Sequence, residues 1–184
     1  MNKNKTKSKR RTAARRITAL AMMTAVSVVL GILCKNLFTF AIYYRFTLEN
    51  LGVIMAGIFF GPAAGVTVGL LSDVISCLMS TNPAVNPIIS SGAAAVGLTA
   101  GVVFRVLKSH GGTVRFYISA AAAHLLGQVI VKSIGKMIFF GMPWYGIFIG
   151  AAFSAIAVAV EASVIAQLAK NKQIMGFINK NDDI

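Results

Sequence analysis

Long apolar runs alternate with short polar connections along most of this chain. Since a helix needs about 20 mostly apolar residues to cross the hydrocarbon core of a bilayer, this pattern predicts an all-α integral membrane protein. The second run has only 15 residues, so we expect it to be tilted or shielded by its neighbours. The six predicted transmembrane helices cover residues 17–34, 46–60, 62–79, 87–104, 116–140 and 145–169.

Small residues recur at every fourth position through the second and third predicted helices. Pro62 follows Gly61, and because proline lacks an N–H group and suits the first turn of a helix, we predict a turn between two helices here. In lipid, small residues at this spacing let helices approach closely, so we predict a helix-packing face. The face comprises Gly57, Gly61, Gly65, Gly69 and Asp73, and the fourth helix repeats the spacing at Ala93, Gly97 and Gly101.

Positive charge is concentrated at the amino-terminal end of the chain. The formal net charge is +13, and eight of the 18 Lys and Arg residues precede Ile17. A nucleic-acid-binding arm would be similarly basic, but beside an apolar run this composition is typical of a cytoplasmic orientation signal. We therefore predict a basic cytoplasmic arm over residues 1–16, a cytoplasmic tail over residues 170–184, and a multi-pass membrane protein with both termini inside.

The fifth predicted helix carries polar residues at four-residue spacing: His124, Gln128, Lys132 and Lys136. Residues at this spacing share one face of a helix. A lysine that faced lipid would raise the free energy of membrane insertion by about 2.5–3.5 kcal/mol. We therefore expect this face to point into the helix bundle or into a water-filled cavity. A pocket with such a cationic wall would suit an anionic ligand.

These polar residues have possible acidic partners within the membrane. Glu161 in the sixth helix lies at roughly the depth of His124, so a structural contact between them is expected. Asp73 lies close to the depth of Gln128. Neither acid matches the depth of Lys132 or Lys136, so the sequence favours a ligand-binding role for both lysines. For Lys136, extension of the side chain to the outer membrane interface is the alternative.

Residues of the outer connections are further candidates for a binding pocket. Arg45 either pairs with Glu49, four residues later, or clamps a carboxylate. Asn82 and Asn86, which lie beside prolines, either form turns or hydrogen-bond a heterocycle. The side chains of Trp144 and Tyr145 either anchor the protein at the membrane interface or stack on a flat ring of the ligand. The predicted substrate-binding residues are Arg45, Asn82, Asn86, Gln128, Lys132, Lys136, Trp144 and Tyr145.

No catalytic motif is present in the sequence. There is no nucleophile paired with a base and no metal-ligand spacing. The glycines do not form a phosphate-binding loop either, because GxxxGxxxG is a helix-packing spacing. We predict a non-catalytic protein without cofactor or metal, in which any use of ATP depends on other chains.

The second and third predicted helices resemble those of a known family. Residues Arg45 and Phe46, followed by the segment from Ala56 to Asp73 with its four glycines and Pro62, are similar to the pattern of the substrate-binding S components of energy-coupling-factor (ECF) vitamin transporters, in the folate branch. Ala21 and Ala25 match the AxxxA motif by which S components dock on their coupling membrane protein. Beyond Arg105 the chain matches no folate-family motif.

This resemblance implies a six-helix S-component bundle in the bacterial cell membrane that binds a vitamin from outside. Folate or a related anionic vitamin is the implied substrate, and an S component for thiamine, riboflavin or pantothenate is the alternative. Reorientation against the coupling membrane protein and its two ATPase subunits would then release the vitamin inside.

Two functions of other classes are also compatible with the sequence. A membrane enzyme would need Asp73, His124 and Glu161 to converge within hydrogen-bond reach as acid–base groups. A scaffold subunit would use the glycine faces only to bind other helices, and would have no affinity for a small molecule.

Overall fold

The computed structural model describes residues 3–37, 46–79, 85–109 and 112–171. These residues form helices joined by short connections, and no strand occurs among them. A short 3₁₀ turn, Leu107–Ser109, follows the fourth helix. The helices are α1 (Lys3–Leu37), α2 (Asn50–Phe60), α3 (Pro62–Leu78), α4 (Pro87–Val106), α5 (Val114–Phe140) and α6 (Gly146–Lys170).

Four of these helices are long and apolar enough to cross a membrane: α4, α5, α6 and the Ala13–Leu37 part of α1. The prediction of an all-α fold is therefore confirmed for the described residues, and four of the six predicted transmembrane helices have the length and apolarity that a membrane span requires. Helices α2 and α3 are shorter, with 11 and 17 residues. At 1.5 Å per residue, α2 is about 16 Å long, roughly half the thickness of a bilayer core.

Helix α2 begins four residues later than the sequence pattern predicted. The hydroxyl of Thr47 accepts a hydrogen bond from the backbone N–H of Glu49 at 3.1 Å. Such a local bond offers the backbone an alternative to helix, so residues 46–49 form a turn before α2. This turn, which precedes Asn50, positions the Glu49 side chain outside any regular helix.

The predicted turn between α2 and α3 is confirmed at Gly61 and Pro62. Gly61 has a φ of 100°, which favours glycine, and Pro62 occupies the first position of α3. Arg16 donates a hydrogen bond to the carbonyl of Phe60 at 2.9 Å. The C-terminal end of a helix carries a partial negative charge, which favours a nearby cation. Arg16 of α1 therefore stabilises the C-terminal end of α2.

Three glycines of the predicted packing face, Gly57, Gly65 and Gly69, lie against the small-residue face of α4. A Cβ atom added to Gly65 would lie 2.5 Å from the carbonyl oxygen of Gly97, and one added to Gly69 would collide with the carbonyl of Ala93. Gly57 of α2 faces the backbone of Gly97 as well. The backbones of α2 and α3 therefore both touch the backbone of α4.

The apolar core lies where these helices meet α6. Ile54 and Val53 of α2, Val68 of α3, Val96 of α4 and Ile165 of α6 are all fully buried there. Large apolar side chains on the outward faces of α1 and α6 are exposed, as expected for surfaces in contact with lipid.

Replacing Gly97 by alanine should destabilise the protein, because the new methyl group would overlap the backbone of Gly65. We expect the free energy of unfolding to fall by about 1–3 kcal/mol, the usual effect of overpacking. Thermal unfolding in detergent, followed by circular dichroism, measures the change.

Gly150→Ala is the matched control, since a Cβ at Gly150 of α6 meets nothing within 4 Å. Both substitutions gain the same helix propensity, so their difference isolates the packing effect. Equal stability of the two variants would contradict the assigned packing face.

Candidate ligand-binding site

A buried ion pair joins α5 to the turn before α2. The ammonium group of Lys132 donates a hydrogen bond to Oε1 of Glu49 at 2.8 Å. Lys132 is only 3% exposed, and Glu49 is half-buried. The expectation that no acid reaches the depth of Lys132 is therefore wrong. The depths compared from the sequence were those of Asp73 and Glu161, whereas the acid that reaches Lys132 is Glu49, in the turn before α2.

Helix α5 changes its winding at the polar face. It is α-helical over Val114–Ala123, π-helical over His124–Val131 and α-helical again over Lys132–Phe140. His124 and Lys132 are buried, so the prediction that this face points into the bundle is confirmed for both. Gln128 and Lys136 are half-buried. The face contacts two neighbours: His124 bonds to α6, and Lys132 bonds to the turn before α2.

The predicted contact between His124 and Glu161 is confirmed. Nε2 of His124 lies 2.7 Å from Oε2 of Glu161, and both side chains are buried. Asp73 is bonded instead to Ser90, whose hydroxyl donates to Oδ2 at 2.7 Å. Within the described residues, the three acid–base candidates of the enzyme hypothesis therefore form two separate contacts.

A small polar cavity adjoins the Lys132–Glu49 pair. Its volume is about 10 Å³, room for roughly one water molecule, whereas pockets for small molecules measure roughly 300–1,000 Å³. A vitamin can enter this region only if its walls separate. The lining residues are Ser27 of α1, Glu49, Asn50 and Val53 at the start of α2, Ser72, Asp73 and Ser76 of α3, Ala93 of α4 and Lys132 of α5.

Two of the lining side chains have unsatisfied polar atoms. Asn50 and Ser27 are each 1% exposed, and neither Nδ2 of Asn50 nor Oγ of Ser27 has a hydrogen-bond partner among the described residues. Buried polar atoms are nearly always paired in native proteins, so this cavity has unused hydrogen-bonding capacity. Neither residue was singled out from the sequence. The available signal was a polar residue, Asn50, inside an apolar run.

The other predicted substrate-binding residues do not line this cavity or lie outside the described part of the chain. Oδ1 of Asn86 accepts bonds from the N–H groups of Ile88 at 3.0 Å and Ile89 at 3.4 Å, which makes Asn86 the cap of α4. Trp144 and Tyr145 are exposed, with their rings edge to face at 6.2 Å, and they do not line the cavity. Their binding roles stay predictions. The two that lie outside the described residues are Arg45 and Asn82.

The predicted docking residues lie on an outward face. Ala21 and Ala25 are both exposed on α1, on the same side of the helix as the exposed Ile17 and Val29. Among the described residues, no group of three His, Cys, Asp or Glu side chains is placed to hold a metal ion.

Comparison with known proteins identifies a family. The family model described as the substrate-specific component of ECF transporters matches residues 15–178, nearly the whole chain. No curated protein matches the sequence.

Truncating either partner of the His124–Glu161 pair should destabilise the protein strongly. We expect Glu161→Ala and His124→Ala each to lower the free energy of unfolding by about 3–5 kcal/mol, because each leaves a buried polar partner unpaired. The double variant should lose less than the sum of the two. Denaturation in detergent, analysed as a double-mutant cycle, tests this.

Ser163→Ala on the same helix is the control, since Ser163 bonds to the exposed Tyr117. We expect this substitution to lower the free energy of unfolding by only about 1 kcal/mol. Single effects that add to within about 0.5 kcal/mol would show that the two side chains are not coupled.

Proposed function

Because the chain belongs to the family of ECF transporter substrate-specific components, we propose that it captures a vitamin from outside the cell and delivers it with an ATP-driven coupling complex. The match over residues 15–178 carries this proposal, since it spans the membrane helices and the cavity between them. In this proposal both termini lie in the cytoplasm, and all six helices belong to the membrane domain.

The binding site is proposed at the cavity beside Lys132 and Glu49. Charged groups inside an apolar bundle are costly and usually functional. In this region two carboxylates, of Glu49 and Asp73, one ammonium group and two unsatisfied polar atoms lie around one space. This is the arrangement expected where a polar ligand supplies the missing hydrogen bonds.

Folate is the first substrate to test, because residues 45–73 resemble the folate branch. The structure divides this motif between two roles. Its glycines at positions 57, 65 and 69 pack on α4, whereas Asp73 lines the cavity. The structure supports an anionic vitamin less strongly than the sequence does, because the carboxylate of Glu49 neutralises the positive charge of Lys132.

Helix α1 is the proposed docking surface for the coupling membrane protein. Its Ala21 and Ala25 side chains are exposed and small, which allows a second helix to approach closely. Two ATPase subunits would then act through that coupling protein.

We expect one vitamin to stabilise the detergent-purified protein against heat. The panel comprises folate, thiamine, riboflavin, pantothenate, biotin and cobalamin. At 100 times its dissociation constant, a ligand adds about 2.7 kcal/mol to the free energy of unfolding, which is visible as a raised melting temperature.

Lys132→Gln should reduce the shift, because it disturbs the cavity wall. Lys170→Gln at the exposed end of α6 is the control and should leave the shift unchanged. A protein that no vitamin stabilises would contradict vitamin capture.

Replacing Ala21 and Ala25 by leucine should weaken docking without affecting vitamin binding. The larger side chains would hold the partner helix at a distance. Co-purification with the co-expressed coupling protein and ATPases measures docking, and thermal stabilisation measures binding.

Ala159→Leu, which makes the same change on an exposed position of α6, is the control. Equal losses of co-purification in the two variants would exclude α1 as the specific docking surface.

A further inference from the structure

Two arginines from different helices meet at the turn between α2 and α3. Arg16 of α1 donates a hydrogen bond from Nη2 to the carbonyl oxygen of Phe60 at 2.9 Å. Arg105, near the C-terminal end of α4, places its guanidinium group against Gly61, where an added Cβ atom would collide with Nη2. Because Phe60 and Gly61 share one peptide bond, the two cationic groups lie close together at one end of the bundle.

No carboxylate among the described residues neutralises these two cations. Three of the five acids of the chain lie in the described part, and each has a partner elsewhere in the bundle. The contacts are Glu49 with Lys132, at the opposite end of α2, Asp73 with Ser90, and Glu161 with His124. The other two acids, Asp182 and Asp183, lie outside the described residues.

The backbone of the turn offsets little of this positive charge. Helix α2 ends and α3 begins here, so the partial negative charge of one helix end lies beside the partial positive charge of the other. Arg16 has one bond to a carbonyl, whereas no hydrogen bond or ion pair involves Arg105 within the described residues. Two neighbouring guanidinium groups repel each other, so an anion that contacts both is favoured.

A third guanidinium group lies at the same end of α4. Arg115 of α5 stacks over the ring of Phe104, the residue before Arg105, at 4.3 Å from the ring centroid. Arg16 and Arg105 are both exposed, so a ligand can reach their remaining N–H groups. This end of the bundle therefore presents accessible donors in a field of positive charge.

Apolar surface continues from the two arginines along their helices. Ile17 and Val106, each directly following one of the arginines, are 68% and 74% exposed. On α4 the exposed apolar face continues through Val102 and Leu98. A soluble anion would contact only the charged part of this surface. A phospholipid would contact both parts, with its phosphate at the guanidinium groups and an acyl chain along α4.

We infer that this turn binds the headgroup phosphate of an anionic phospholipid, with Arg16 and Arg105 as its ligands. The planar fork of an arginine donates two parallel hydrogen bonds to phosphate oxygens. In the proposed topology this end of the bundle is cytoplasmic, and basic pockets between membrane helices on that side bind anionic headgroups. The site lies at the other end of α2 from Lys132, so it is separate from the proposed vitamin site.

The test measures lipid binding to the purified full chain without vitamin. Native mass spectrometry compares the dissociation constants of phosphatidylglycerol and phosphatidylcholine that carry identical acyl chains. We expect phosphatidylglycerol to bind about 10–30-fold more tightly, the effect of two basic side chains on an anionic headgroup. Inorganic phosphate at the same concentration should not displace it, because it lacks the acyl chains.

A matched pair of double variants assigns this preference to the turn. Arg16→Gln with Arg105→Gln should bind the two lipids with nearly equal affinity. Arg15→Gln with Lys108→Gln removes the same charge from exposed positions of the same helices and should retain the preference, because salt screens charges that act only through solvent. If the first double variant fails to fold, Arg105→Gln alone, which removes no hydrogen bond within the described residues, should still reduce the preference.

Three results would overturn the inference: equal binding of the two lipids by the native chain, equal losses of preference in the two double variants, or displacement of the lipid by inorganic phosphate. The first would also be found if the surface served only an acidic partner protein. Since no vitamin is present in these measurements, each of these results leaves the proposed function standing.

Discussion

The close approach of the α3 and α4 backbones is the constraint on which the rest of the structure depends. Gly65 and Gly97 leave no room for a Cβ atom on either side, so the two helices can meet only because both positions are glycine. One turn beyond Gly69, the same contact brings Asp73 within 2.7 Å of Ser90. The packing face therefore also positions an acidic group of the candidate site.

Polar groups inside the bundle are placed in pairs or around one small cavity. An isolated charge in an apolar medium is expensive, and pairing reduces this cost. The His124–Glu161 and Lys132–Glu49 pairs both involve α5, one toward α6 and one toward α2. The second pair adjoins the small polar cavity. Unsatisfied polar atoms occur near both pairs, since Nδ1 of His124 and Oε1 of Glu161 lack a partner among the described residues, as do atoms of Asn50 and Ser27.

Much of this arrangement could be predicted from local sequence patterns. Apolar runs predicted the helices, the four-residue spacing predicted that Gly65 lies on a packing face, and similar depth predicted the contact of His124 with Glu161. The pairing of Lys132 with Glu49 could not be predicted, since it depends on where α2 starts and on the π-helical segment of α5. The pair joins residues 83 positions apart, a contact that local spacing does not encode.

The two pairs on α5 have different consequences for ligand binding. His124 and Glu161 are buried between two long helices, so their contact can be broken only by separating α5 from α6. Glu49 is half-buried at the N-terminal cap of α2, so its contact with Lys132 does not join two long helices. A ligand competing at the cavity would therefore act on the second pair while the first keeps α5 in place. Under the proposed function, the first pair stabilises the bundle and the second borders the ligand site.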